Sequence, residues 1–461
     1  MAITDDRGEG VGPAEAETLA NEARRAASDP TRLRANDPYA ALRFRDFRYL
    51  MASSSLATLG EQMLTVAIGW DIYSRTHSAL MLGFVGLAQF APVLALSLVA
   101  GHAADRFDRR VTVMFSQGLM GLTSLGLAAI ALTHGPVGLI FLLLALRGVG
   151  EAFNVAASGA MPPQTVPVET FENAASWSSS SWQLAAVIGP ALAGLVIALR
   201  GDATPVYLFD ALAGLAAIAM IGRIRGKQAS QTSEPMTLSG LMGGVRFILQ
   251  TKVILAAVTL DMVAVLLGGV TTLLPIFAIS ILHVGAQGLG VMVATPSIGA
   301  ICMATLQAYL PPFRHAGRTL LLAVAGFGAA TVVFGFSRSF PLSLVALFIL
   351  GAMDNISVVI RKTLLLLRTP DILRGRLSAV NNVFIGASNQ LGGFESGTLA
   401  AAIGPVGAVA LGGIGSALAV GAIAWAWPEL RDLGRMTAIE TDAADETDAA
   451  DEQSAAGAVN I

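Results

Sequence analysis

The chain has 461 residues, 54% hydrophobic and only 13% charged, about half the charge content usual in a soluble domain. This excludes a disordered chain, which needs low hydrophobicity and high charge, and a disulfide scaffold, because Cys302 is the only cysteine. A formal charge of −3 argues against a nucleic-acid binder, whose footprint is a basic patch, and leaves an all-α polytopic membrane protein.

Residues 1–48 form a polar segment with no apolar core of a secretory signal, and Arg43, Arg45 and Arg48 stand ready to hold the first span against anionic lipid. Apolar runs long enough to cross a bilayer of about 30 Å then predict twelve transmembrane helices. The first six are Tyr49–Tyr73, Ala79–Ala100, Val111–Leu132, Val137–Ser158, Trp177–Leu199 and Thr204–Ile221. The second six are Val253–Ile281, Gly288–Leu310, Leu320–Phe336, Leu342–Ile360, Leu377–Ile403 and Val406–Trp427. Between the sets, residues 222–252 read as a polar linker, which gives two six-helix bundles at 49–221 and 253–427. Weak internal similarity (Gly150 and Asn154 with Gly351 and Asn355, Gly189 with Gly393) suggests that one half duplicates the other. From residue 428 the tail is of low complexity; it repeats TDAADE and has seven acids and no base after Thr437.

The basic residues test this count independently. With a cytoplasmic N-terminus, the outer loops hold Arg75, Arg200 and Arg338 only. The inner loops hold fifteen: Arg106, Arg109, Arg110, Arg223, Arg225, Lys227, Arg246, Lys252, Arg314, Arg318, Arg361, Lys362, Arg368, Arg374 and Arg376. Positive loops stay inside, so both termini are expected in the cytoplasm and the protein in the inner or plasma membrane. One inner stretch, Pro162–Asn173, lacks Lys and Arg and is expected to lie on the surface as an amphipathic helix.

The most informative loop follows the second span: Gly101, Asp105, Arg106, Arg109 and Arg110 fit the pattern G-x-x-x-D-R-x-x-R-R. Gly101 permits a close helix approach. Asp105 at the membrane edge can meet the positive end of a neighbouring helix and a nearby arginine, a latch that would have to break for inward opening. A surface cluster that only sets topology is the simpler alternative. This pattern in a six-plus-six chain resembles the signature loop of the major facilitator superfamily, and the likeness extends over Leu42–Leu430. Leu64–Ala67, Ala186–Gly194, Thr369–Arg376 and Phe384–Gly397 resemble the bacterial enterobactin-exporter-like and macrolide-exporter-like efflux branch. The resemblance implies the major facilitator fold, with pseudo-twofold halves and substrate bound between them. In the second-half loop around Arg314, His315, Gly317 and Arg318 the acid of the pattern is missing.

An ionisable group at mid-bilayer costs about 2.5–3.5 kcal/mol and so needs a partner or a task. Glu61, Arg147, Glu151, Asp261, Asp354 and Glu395 fall inside the spans. Glu61 and Asp261 have no basic neighbour in their own spans and are the leading proton-carrier candidates, followed by Glu395. Arg147 and Glu151, at i and i+4, share a helix face and can neutralise each other; they also resemble a span-four arginine motif linked with proton coupling. Asp354 lies within two turns of Arg361 and is expected to pair with it. Gln89, Asn154, Gln183, Asn382, Asn389 and Gln390 are intramembrane amides that either line a substrate cavity or bridge helices. Trp177 and Trp182 open span five, where interfacial anchoring is the default, and Cys302 reads as a small packing residue.

No Walker loop and no H-E-x-x-H pattern occurs, so neither ATP hydrolysis nor zinc proteolysis is expected, and no cofactor or metal. The leading expectation is a monomeric secondary transporter, not an enzyme, that uses proton influx to export a small amphipathic compound such as a drug or siderophore. An uptake symporter of the same fold and a transport-dead membrane sensor or scaffold are the alternatives.

Overall fold

The computed structural model describes residues 37–159, 161–225, 246–311, 313–369 and 371–434, without the side chains of Asp105, Pro163, residues 371–376, Ser378, Ala379 and Asn382. Most of the polar N-terminal segment, residues 226–245 of the linker and the acidic tail beyond Gly434 lie outside the described residues.

A chain in lipid must satisfy its backbone polar groups internally, and these long apolar runs do so as helices. They are α1 (Arg45–Thr76), α2 (Ala79–Arg106), α3 (Arg109–Thr133), α4 (Val137–Ser158), α5 (Phe171–Arg200) and α6 (Thr204–Ile221), then α7 (Lys252–Leu267), α8 (Gly285–Tyr309), α9 (Ala316–Phe336), α10 (Phe340–Arg368), α11 (Asp371–Ile403) and α12 (Pro405–Ala426). Ten of the twelve segments are long and apolar enough to cross a membrane; α1 and α11, the two most interrupted by polar and charged residues, are the exceptions.

The seventh span is not continuous as expected. α7 stops at Gly268–Gly269, resumes as a short helix at Val270–Ile276, and ends in a π-helical turn at Phe277–Ile281. The cause is a close approach: a Cβ on Gly269 would stand 2.6 Å from the Gly392 carbonyl of α11. Pro275, which lacks an N–H, lies in the resumed helix. The expected surface helix over Pro162–Asn173 is also absent. Two 3-10 turns, Pro162–Gln164 and Val168–Thr170, take its place, because three prolines interrupt the stretch.

Within the first six helices, α1 packs on α5 and α6, α2 on α4, and α3 on α4 and α6. Adding six to each number gives the pairs of the second set: α7 on α11 and α12, α8 on α10, and α9 on α10 and α12. The main contacts between the sets, α5 with α8 and α2 with α11, exchange under the same operation. The molecule therefore has two six-helix bundles related by a pseudo-twofold axis.

Among the described residues, the close contacts between the bundles gather towards one end. In the half of the molecule away from the chain ends, Gly194 of α5 meets Ala286 and Gly290 of α8, and a Cβ on Gly194 would lie 2.5 Å from the Ala286 carbonyl. There Gly397 of α11 meets Gly83 of α2, Phe84 packs on Phe394, and the Tyr73 hydroxyl meets Ser280 Oγ at 2.7 Å. Gly83, Gly86, Phe90, Leu94 and Gly101 form one stripe of α2; the first three touch α11, whereas a Cβ on Gly101 would meet nothing within 4 Å. Among the described residues, therefore, no close approach to Gly101 is seen at the end of α2 beside the chain termini.

Replacing Gly194 or Gly397 by Leu should prevent this closure. Cysteines introduced at Tyr73 and Ser280 should then lose most of their crosslinking yield; an unchanged yield would show that the glycines do not set the contact.

Candidate functional site: a central cavity with buried charge clusters

Three helices of the first bundle show how the gap between the halves is lined. On α1, Ile68 and Ile72 are buried while Ser54, Glu61 and Thr65, on the same face nearer the chain ends, are exposed. Along α4, Ile140 and Leu144 are buried, Glu151 is half-buried and Val155 exposed. For α5, Ala186, Ala193 and Ile197 are buried, whereas Ala175, Ser179 and Trp182 of the same stripe are exposed, Trp182 by 57%. The second bundle repeats the pattern on α10, where Leu347 and Gly351 are buried and Lys362 is exposed. These stripes pass from buried in the far half to exposed towards the face carrying the chain ends, so that among the described residues the space between the bundles widens, as a wedge-shaped cavity, towards that face.

Buried charges are distributed differently from the expectation. Arg147 does not pair with Glu151. Its Nη1 donates to Asp210 Oδ2 of α6 at 2.9 Å and to Ser124 Oγ of α3 at 3.0 Å. Ser124 Oγ in turn donates to the same Asp210 oxygen at 2.6 Å. The reason is positional: Arg147 points between α3 and α6, whereas Glu151, one turn on, turns to the cavity, where it acts with Arg147 and Asp210 on the charge of Glu61. Asp261 is likewise not unpaired, because Arg361 of α10 forms an ion pair with it across the helices. That contact also displaces the expected pairing of Arg361 with Asp354.

A third cluster closes the far face. Arg75 Nε donates to Asp71 Oδ1 at 2.6 Å, the Tyr207 hydroxyl donates to Asp71 Oδ2 at 3.2 Å, and Arg75 Nη1 reaches the Gly135 carbonyl at 3.3 Å. Asp71, Asp210 and Lys362 were missing from the sequence candidates. Asp210 was nonetheless legible as the only charge in an eighteen-residue helix.

The remaining candidates separate into distinct roles. Glu395 is half-buried in the far half of α11, with Ser396 Oγ at 3.3 Å, and is not brought to Glu61. Gln183 is beside the cavity and donates to Ser179 Oγ at 3.4 Å. Asn154 accepts from Gln117 Nε2 at 3.4 Å and so bridges α4 to α3. Gln390 fills the space over Gly86 in the α2–α11 contact, and Gln89 packs its backbone against Gly148. Asn389 is exposed and donates to the Ile385 carbonyl, while the side chain of Asn382 lies outside the described ones. Trp177 is not a simple interfacial anchor: its Nε1 donates to the Pro38 carbonyl at 2.9 Å and its ring packs on Tyr39. Trp182 faces the cavity instead, and Cys302 is exposed rather than packed.

In the signature loop, Asp108 caps α3 by accepting from Arg110 N at 2.9 Å, and the Arg110 guanidinium reaches the Ile224 carbonyl beyond α6. Asp105 lies in the last turn of α2 with its side chain outside the described ones; Arg106 is exposed and Arg109 half-buried.

Replacing Asp210 by Asn should strand the Arg147 charge and destabilise the protein by about 3–5 kcal/mol. Thermal unfolding in detergent should show this loss, and Arg147→Met in the same chain should recover most of it.

Comparison with known proteins agrees with this architecture. The family model described as transmembrane secretion effector, MFS_3, matches residues 36–461. Enterobactin exporters of Citrobacter koseri and Shigella boydii are each 27% identical over 369 residues, covering 80% of this chain and 88% of theirs. Among solved structures, an inward-facing bacterial homologue of the human lysosomal transporter Spinster aligns with a TM-score of 0.66 at 13% identity, over 89% of this chain and 98% of that one. The inward-open xylose transporter XylE of E. coli aligns at 0.63 and 12% identity, over 82% and 95%.

Proposed function

The chain belongs to the transmembrane secretion effector family of the major facilitator superfamily, and from that premise we propose that it exports a small amphipathic compound in exchange for protons by alternating access. The observation that carries this reading is the gap between the bundles, at which Glu61 is exposed and Glu151 half-buried while Arg147 is held away from them by Asp210. Two carboxyls at such a gap can take up and release protons as it changes sides. Arg147 supplies a fixed positive charge behind them.

The fifteen basic residues on one face against three on the other support a cytoplasmic position for both termini. On that orientation the structure is open to the cytoplasm, the side from which an exporter loads. The rocking units are the bundles 49–221 and 253–427, joined by the linker 222–252. One chain supplies both cavity walls, so a monomer suffices. The enterobactin exporters among its relatives support a siderophore-like or drug-like cargo.

In this reading the loop after α2 provides the gate. Gly101 shares the stripe of Gly83, Gly86 and Phe90, which touch α11 farther along, so outward opening would bring this end of α2 against the start of α11. Asp105, on the last turn of α2, would then meet the positive N-terminus of that helix, with Arg106, Arg109 and Arg110 close by in the sequence to compensate its charge.

Two variants test the reading in inside-out vesicles with enterobactin as probe. Asp105→Asn should insert normally and slow transport at least tenfold, and near-normal flux would sink the gate. Glu61→Gln should abolish the response of flux to an imposed pH gradient; full retention of that response would move proton coupling elsewhere.

A further inference from the structure

The second bundle holds a charge cluster apart from the carboxyls of α1 and α4. Asp261 of α7 and Arg361 of α10 form a buried ion pair. Asp354 lies two helical turns from Arg361 on the same side of α10. With Asp261, Val324, Phe327, Met353 and Ser357 it lines a crevice of ≈ 10 Å³, about the space one water molecule occupies. Within it the ledger of groups does not balance. Arg361 Nε and Ser357 Oγ are buried without a hydrogen-bond partner. Asp354 has neither an ion pair nor a hydrogen bond among the described residues.

Two carboxylates therefore share one guanidinium near mid-membrane, where an uncompensated charge costs several kcal/mol. The surroundings supply no other cation among the described residues. The charges acting on Asp354 are those of Asp261 and Arg361. α8 and α12 contain no charged residue, the α9 residues facing the crevice are apolar, Arg318 stands at the basic end of α9, and Glu395 lies in the far half of α11.

We propose that Asp354 is a proton-binding site of the second bundle, and that Arg361 answers its protonation. With a proton on Asp354 the cluster is neutral, and Arg361 rests wholly on Asp261, as in this structure. When the proton leaves to solvent, the free Nε edge of Arg361 turns to Asp354 and the guanidinium bridges both acids. Only an O–H bond breaks, and the positive charge of Arg361 is retained. Bridging ties α10 more tightly to α7, the helix broken at Gly268–Gly269, and so links proton release to a change in the second bundle. This deepens the proton-coupled reading above by placing a second site on the opposite side of the cavity.

Infrared difference spectroscopy of the full chain in lipid nanodiscs, stepped in pH without cargo, tests the site directly. The wild type should show a protonated-carboxyl C=O band that titrates with pH and shifts in deuterated water. Asp354→Asn should remove it and lower proton release on a pH jump by one per chain. Asp261→Asn should remove it as well, because Arg361 is then free to neutralise Asp354 as an ion pair. A merely structural Asp354 would leave the band in both variants, and that result overturns the proposal. Should Asp354→Asn fail to fold, the Asp261→Asn spectrum decides alone. Glu61→Gln should leave this band intact, so its effect on vesicle transport is judged separately. Displacement of the band by sodium at fixed pH would identify a metal-cation site and overturn the proton assignment.

Discussion

An arginine buried at mid-membrane must be held by an acid, and the first bundle is organised around the way Asp210 holds Arg147. Ser124 joins the same carboxylate, so one cluster fastens α3, α4 and α6. α1 is drawn onto it as well: a Cβ on Gly60 would stand 2.7 Å from Asp210 Oδ1, and only glycine lets the helix lie that close. Four helices thus become one rigid unit, as rocking of one bundle against the other requires. With Arg147 turned inward, Glu61 and Glu151 remain facing the cavity without an ion-pair partner among the described residues.

The second bundle repeats the packing of the first without repeating its chemistry. Its helix pairs correspond one for one, yet the buried ion pair joins α7 to α10 and not α10 to α12. The acid has moved to the helix that is interrupted, and the arginine lies closer to the basic end of its own helix than Arg147 does. A conserved scaffold of helix contacts has therefore been filled with two different charge arrangements. Helix packing depends on small residues and shape, which both halves share, whereas a charge pair needs only two side chains that reach each other. Such pairs can change position in the sequence while the backbone remains the same.

The same distinction explains what the sequence revealed. Hydropathy placed ten of the twelve long helices clearly, because an apolar run of that length has few other stable states, whereas α1 and α11 are broken up by polar and charged residues. The broken seventh span was less legible: Gly268 and Gly269 are ordinary in a membrane helix, and the close approach of Gly269 to Gly392 depends on a residue more than a hundred positions away. Glu61 was conspicuous in the sequence because an acid in an apolar run stands out by itself. Its neighbours were misjudged because spacing along one helix identifies partners only within that helix. Arg147 with Glu151 satisfied the i to i+4 rule, yet the partner came from sixty-three residues away. The wedge shape of the cavity was likewise invisible, since an exposed stripe and a buried one have the same composition until the facing helix is placed.

The two loops that follow α2 and α8 show how charge and backbone can do similar work with different consequences. At the first, Asp108 caps α3 and Arg110 is anchored on the Ile224 carbonyl just beyond α6. At the second the acid is gone, and the chain beyond α12 takes its place: the Ala316 and Gly317 N–H groups donate to the Gly434 and Leu433 carbonyls at 3.2 and 3.4 Å. Lys252 of α7 adds an exposed contact to Glu429 at 3.1 Å. The orphan donors at the start of α9 are thereby satisfied by backbone, and Gly317 leaves room for the Leu430 carbonyl to lie against it. A carbonyl carries no net charge and has no protonation state to change near neutral pH, so this second loop is a fixed joint. The asymmetry between the loops therefore lies in their donors and acceptors: a carboxylate caps the helix after the first, and main-chain carbonyls beyond α12 meet the start of the helix after the second.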